Sequence, residues 1–152
     1  MLSWKQALQD AAVSGSAASV CSALALAVCG RIERGTAAGP NNGPSQWIWG
    51  EHAAYERRAT VRHTAVGYAV HHLMSVGWAL LHERYLVRGR PHLSSTHRLV
   101  LGAVTAGAAC FTDFRIASGR FRPGFEKQLS RQSLFLVYAA FACGLAAGGR
   151  QE

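Results

Sequence analysis

Hydrophobic and polar positions alternate along this chain in long blocks. Four mainly apolar runs, at about 11–30, 64–81, 98–116 and 133–149, are separated by segments that collect most of the charged residues. A helix crosses the roughly 30 Å hydrocarbon core of a bilayer with about 20 apolar residues. The pattern therefore predicts an all-α protein with one domain over residues 1–152, built as a bundle of four transmembrane helices.

The third run has the shortest uncharged part of the four. Its uncharged part, from Leu99 to Thr112, reaches a spanning length only if the helix continues through Asp113 and Arg115 to Ile116. An arginine at the end of a span can extend its guanidinium to lipid phosphates while its stem stays in the apolar layer. We therefore expect this helix to continue to Ile116.

The polar segment between the first two runs predicts a loop followed by a surface helix. Glycine, proline and asparagine dominate residues 35–44 and are typical of turns. Trp47 and Trp49 are typical of a membrane interface. Charged and apolar residues mix from Glu51 to Arg62, which predicts an interfacial helix before the second span.

Small residues recur at helical spacing in three of the runs, where they let helix backbones approach closely in lipid. They predict the packing seams of the bundle. The first run has Gly15, Ala18, Ser19 and Ser22, the third has Gly102, Ala103, Ala106, Gly107 and Cys110, and the fourth has Ala140, Gly144 and Gly148.

Composition and charge change the expected partner. The chain is 49% hydrophobic and 16% charged, and its formal net charge is +8. In a soluble protein this balance would favour nucleic acid. Here the arginines flank apolar runs, so we expect anionic lipid head groups and no nucleic acid. The distribution of Lys and Arg places both longer loops in the cytoplasm and both termini outside.

Two adjacent histidines, His71 and His72, lie near the middle of the second run. An imidazole at that depth needs a hydrogen-bond partner, such as Ser22 or Ser75. The favoured interpretation is neutral histidine inside the bundle. The alternative is a membrane redox or metal protein with haem, which needs a histidine on each side of the macrocycle, whereas a single run supplies them. We predict no metal site and no cofactor.

A second polar group lies beside the longer loops. Its members are Glu51, His52, His63 and Asp113, together with Arg57, Arg58, Arg62 and Arg115. One interpretation is a salt-bridge network that ties the loops to the bundle. Another is a lipid-binding or anion-binding site, in which the four arginines hold phosphate bidentately. A third is a lipid-modifying enzyme, with Asp113, His63 and Glu51 as catalytic candidates.

The sequence contains no glycine-rich phosphate loop, nucleophile elbow, His-Glu-x-x-His or Cys-x-x-Cys motif. These absences disfavour an enzyme. We expect an integral membrane protein that acts as an accessory, transport or lipid-interacting component. Such a protein could form a homo-oligomer or join another membrane subunit.

Two stretches carry a resemblance to a known group of proteins. They are Gly43-Pro-Ser-Gln-Trp-Ile-Trp-Gly-Glu-His52, and the segment from Thr112-Asp-Phe through Arg122-Pro-Gly-Phe-Glu126 to Ser130. They are similar to stretches of small bacterial inner-membrane proteins of unknown function with four predicted spans. The resemblance implies an inner-membrane location and places the two loops on one side together, and it implies no activity.

Overall fold

The computed structural model describes residues 3–87, 90 and 92–149, and these residues form helices and turns without a strand. Four long helices account for most of them. We number them α1 (Trp4–Arg34), α2 (Val66–Leu81), α3 (Ser95–Phe111) and α4 (Arg131–Gly148). The all-α prediction is confirmed.

Three helical segments are long and apolar enough to cross a membrane. They are Trp4–Arg34, Ser95–Ile116 and Arg131–Gly148. The third run does continue to Ile116, because the π-helical turn Thr112–Ile116 extends α3, so that prediction is confirmed.

The second predicted span is helical but does not meet the same criteria of length and hydropathy among the described residues. Helix α2 has 16 residues, and the π-helical turns Val61–Ala65 and His82–Val87 lengthen it at both ends. His71 and His72 lower its mean hydropathy. Three candidate spans are therefore established where four were predicted.

The predicted interfacial helix over residues 51–62 is wrong as a continuous element. Only Glu51–Tyr55 is helical before the π turn, as a short 3-10 helix, and Glu56 and Thr60 have extended backbone. The Asn42 side-chain amide donates hydrogen bonds to the carbonyls of Glu56 and Arg58, at 2.8 and 3.0 Å. Those carbonyls are thereby bound outside a helical ladder, which explains the break.

Short helical turns replace the irregular loop predicted for residues 35–44. The chain forms the helix Ala38–Asn42, the 3-10 turn Gly43–Ser45 and the helix Gln46–Trp49. Proline fits the first turn of a helix because that position needs no N–H donor. Pro44 stands at such a position in the 3-10 turn.

The contacts divide the chain into two compact units. The first unit takes its described residues from 1–22, 72–109 and 138–152, and the second from 23–71 and 110–137. Each of the four long helices contributes one part of its length to the first unit and the other part to the second.

Small side chains surround Phe141 and Leu145 in the interior of the first unit, whereas many large apolar side chains face outward. Ser14 and Ser19 are fully buried with Ala18, while Val13 is 61% exposed and Leu73 is 70% exposed. A Cβ atom on Gly144 would lie 2.4 Å from the Cα of Ala18. This contact requires glycine, as the predicted small-residue seams imply.

The second unit brings the two longer loops into direct backbone contact. A Cβ atom on Gly124 would lie 2.4 Å from the carbonyl oxygen of Gly43, and Gly124 has a positive φ of 85°. Both the approach and the left-handed backbone demand glycine at Gly124. Phe125 and Leu129 pack in the interior of this unit.

Candidate functional site

An open cleft of about 580 Å3 lies in the second unit and gathers a large part of the predicted polar group. Three guanidinium groups face it against one carboxylate, so the cleft is cationic. Its lining residues are His52, Ala53, Tyr55, Glu56, Arg57, Arg58, Arg62 and His63.

Arg57 is held at the end of α1. Its Nη2 donates to the carbonyl of Arg34, one of the carbonyls that a helix leaves without an internal partner. The hydroxyl of Thr36 donates to the carbonyl of Arg57 at 2.6 Å. A guanidinium has five N–H donors, so Arg57 keeps donors for a ligand.

Arg58 and Glu56 form the ion pair of the cleft. The Arg58 Nε lies 3.3 Å from Glu56 Oε1, and the Arg58 side chain is 83% exposed. The backbone N–H of Arg58, which donates to the same carboxyl at 2.9 Å, lowers the pKa of Glu56. Glu56 therefore stays ionised and partly offsets the arginines.

Arg62 is oriented by Trp49. Its guanidinium carbon lies 4.7 Å from the centroid of the Trp49 ring, and the indole Nε1 donates to the Arg62 carbonyl at 2.9 Å. Cation-π contact fixes the guanidinium plane without using its N–H donors. Arg62 is thus presented to the cleft with its hydrogen-bonding edge available.

The backbone of the cleft rests on one buried amide. Asn42 is fully buried, and besides its two donated bonds it accepts one from the Thr64 hydroxyl at 2.7 Å. Thr60 in turn accepts from the backbone N–H of His63 at 3.1 Å and bonds to its Nδ1 at 3.1 Å. Partly buried hydrogen bonds around Asn42 and Thr60 therefore hold the backbone of the cleft in place.

Three members of the predicted group do not line the cleft. Glu51 forms an ion pair with Lys127, with 3.6 Å between Oε2 and Nζ. Asp113 is half-buried in the π-helical turn after α3, and Arg115 is exposed in the same turn. Of the catalytic candidates, only His63 lines the cleft.

His72 is half-buried and belongs to the first unit. Its Nδ1 is 3.2 Å from the hydroxyl of Ser19, one turn before the expected partner Ser22. His71, which is half-buried, belongs to the second unit. Within residues 3–87, 90 and 92–149, no group of three or more His, Cys, Asp or Glu side chains could hold a metal ion.

Buried amides join the two loops, and the sequence pattern did not single them out. Gln128 Nε2 donates to the carbonyls of Gly39 and Ala54, at 3.0 and 2.6 Å. Gln46 donates to the carbonyl of Arg122 at 2.7 Å and accepts from Lys127 at 3.0 Å. Their partners are distant in sequence, so no local spacing signals them.

Glu33 provides a further link to the start of α4. Its carboxylate accepts hydrogen bonds from the N–H and hydroxyl of Ser130, at 2.8 and 2.6 Å, and from the hydroxyl of Ser133. A carboxylate at a helix N-terminus is favoured by the free N–H groups there. This contact binds the end of α1 to the start of α4.

Three guanidinium groups with free donors form a site for a multivalent oxyanion, because arginine binds phosphate oxygens in pairs. The two rim histidines can add further donors. Comparison of the chain with protein-family models, curated proteins and solved structures finds no match.

Proposed function

We propose that the chain is an integral membrane protein whose arginine cleft binds the anionic head group of a lipid. The observation that carries the membrane assignment is the distribution of side chains. Serine and alanine are frequent in the interior, while large apolar side chains such as Ile32, which is 78% exposed, and Phe135, which is 73% exposed, lie on the outside. Water would disfavour this arrangement, whereas lipid removes large apolar side chains from water.

In the proposed bundle, residues 64–81 form a span in addition to the three candidate spans, and this span is the second along the chain. Helix α2 with its two π turns is long enough to cross, its Ser75 is buried, and its half-buried His72 lies within hydrogen-bond distance of Ser19. Intramembrane polar side chains that face a bundle interior can find partners there. The proposed protein is thus a four-helix bundle in a bacterial inner membrane, with the longer loops in the cytoplasm and both termini outside.

Alkaline washing of membranes tests the insertion. An integral protein stays in the pellet and needs detergent for release. Recovery of the protein in the alkaline supernatant would overturn the membrane assignment.

The cleft supports the lipid-binding part of the proposal. The exposed guanidinium groups of Arg57, Arg58 and Arg62 lie beside Trp49, an aromatic of the type found at head-group level. Each basic residue near an anionic surface contributes about 1 kcal/mol to attraction. The protein would act as a non-enzymatic accessory, transport or lipid-interacting component.

Lipid binding by purified protein in nanodiscs tests the site. Arg57→Gln with Arg62→Gln should reduce the enrichment of phosphatidylglycerol around the protein relative to phosphatidylcholine. Arg90→Gln with Arg131→Gln is a matched control, because it likewise removes two exposed positive charges, both outside the cleft. Equal enrichment in all three proteins would contradict the proposal, and equal loss in the control would show that total charge alone decides.

A further inference from the structure

The first unit buries three ionisable side chains that the arginine cleft does not involve. Glu83 is 4% exposed, its neighbour His82 is 2% exposed and Arg98 is 8% exposed. Charged side chains are rarely buried to this extent unless they are paired or neutralised. The protonation state of Glu83 therefore depends on the groups that surround its carboxyl.

Ser14 on α1 is one of the hydrogen-bond partners of Glu83. Its hydroxyl is fully buried and donates to the carbonyl of Asp10 at 3.1 Å, within α1. The same hydroxyl is hydrogen-bonded to the Glu83 carboxyl. A serine hydroxyl has one hydrogen and two acceptor lone pairs. When this hydrogen is directed to the Asp10 carbonyl, Ser14 accepts a hydrogen bond from the acid form of Glu83, whereas a bond donated by Ser14 favours the carboxylate.

One oxygen of the Glu83 carboxyl also bears on its protonation state. Oε1 of Glu83 is buried and has no hydrogen-bond partner within the described residues. Leaving an oxygen of an ionised carboxylate without partners in an apolar interior costs far more than leaving a neutral carbonyl oxygen there. This favours the acid form.

The ionisable side chains next to Glu83 in sequence interact with other residues. His82 Nδ1 lies 2.8 Å from the Thr105 hydroxyl, which itself donates to the Leu101 carbonyl at 3.1 Å. The imidazole therefore donates this bond and is directed to α3. Arg84 stacks over the ring of Trp4, at 4.9 Å from the centroid.

Two charges act on Glu83 from other helices. Asp10 on α1 disfavours its ionised form, and Arg98 on α3 favours it. The two forms of Glu83 therefore have different partners. The acid donates to Ser14, and the carboxylate is attracted to Arg98.

From this geometry we propose that Glu83 is a buried proton-binding site, which takes up and releases one proton inside the helix bundle. On release, the O–H bond of the acid breaks, the electron pair stays on the carboxylate and the proton passes to water. The positive charge of Arg98 then favours the carboxylate. This site is independent of lipid binding at the cleft.

Infrared spectroscopy of the protein in nanodiscs tests the proposal. A protonated carboxylic acid has a C=O stretching band that shifts on exchange into deuterated water. The proteins carry Glu126→Gln throughout, which removes a second buried carboxyl. At neutral pH this background should show the band, and Glu83→Gln should remove it. Glu51→Gln, which removes an exposed carboxylate, should leave it unchanged.

A second variant separates the proposal from a folding defect. Ser14→Ala removes a hydrogen-bond partner of the carboxyl, so the band should persist and move to higher frequency. Retention of the band in Glu83→Gln, its absence from the background protein at neutral pH, or an unshifted band in Ser14→Ala would each overturn the proposal.

Discussion

Trp49 holds Arg62 twice, through the face of its ring on the guanidinium and through its indole N–H on the backbone carbonyl. The two contacts fix both ends of the arginine. Arg62 therefore faces the cleft in one orientation, and a ligand does not have to bear the entropic cost of ordering a long side chain.

Trp49→Ala should weaken binding of phosphatidylglycerol-containing vesicles about two- to fivefold, because an exposed cation-π contact contributes roughly 0.5–1 kcal/mol. Trp49→Phe keeps a ring under Arg62 and should lose less. Dissociation constants from vesicle flotation measure the effect. Trp47→Ala is the control, since the Trp47 indole bonds to the Arg122 carbonyl and does not contact Arg62. Equal losses at Trp47 and Trp49 would contradict this role.

Asn42→Ala should destabilise the second unit strongly. It leaves the carbonyls of Glu56 and Arg58 without their donor, at roughly 1–3 kcal/mol for each group that stays buried. Thermal unfolding in detergent should show a lowered midpoint. Thr64→Val, which removes only the bond to Asn42 Oδ1, should cost less. An Asn42→Ala protein as stable as the wild type would show that the amide does not support the cleft.

Gly144→Ala should lower the stability of the helix bundle. Its new methyl group meets the backbone of Ala18, and such overpacking typically costs 1–3 kcal/mol, as an order-of-magnitude figure. Gly107 is the matched control on α3, because a Cβ atom there has no neighbour within 4 Å. Gly107→Ala should leave the thermal midpoint unchanged or raise it. Similar effects of both substitutions would refute packing at Gly144.

Val104→Arg should impair membrane insertion, although Val104 is exposed. A charge near the middle of a span costs roughly 2.5–3.5 kcal/mol on insertion scales. Val61→Arg tests the opposite case, since Val61 is 85% exposed before the second span. Membrane-fraction yield after expression should fall for the first variant only. In water, both exposed positions would tolerate arginine.

Glu126 should make the folded protein less stable as pH rises. Burial raises the pKa of its carboxyl above the ordinary value of 4.5, against hydrogen bonds from the N–H groups of Gly124 and Glu126 itself. The unfolded chain therefore loses this proton first, and stability falls from about pH 4.5 up to the raised value. Glu126→Gln should remove that decline. Parallel pH profiles of unfolding for both proteins would contradict it.

The long helices could be predicted from the sequence because each contains a long apolar run. Even the extension of the third run to Ile116 followed from length alone. The break after Tyr55 could not, since it depends on the amide of Asn42, which reaches carbonyls 14 and 16 residues further along the chain. A local pattern of charged and apolar residues contains no information about such a contact.

The candidate site was predictable only as far as its residues are neighbours in sequence. Four residues of the cleft are close in sequence, so they lie near one another whatever the tertiary structure: Arg57, Arg58, Arg62 and His63. Glu51 is only one residue from His52, yet Lys127 from the other loop pairs with it outside the cleft. Long-range partners decide which of several adjacent charges face a ligand.

The contact between Gly43 and Gly124 has a consequence for biogenesis. Each glycine comes from a different loop, and their backbones touch. The contact can form only after α3 has been made, since Gly124 follows that helix in the chain. Protection of these loops from protease is therefore expected only once α3 is in place, and it distinguishes such a molecule from one that has α1 and α2 alone.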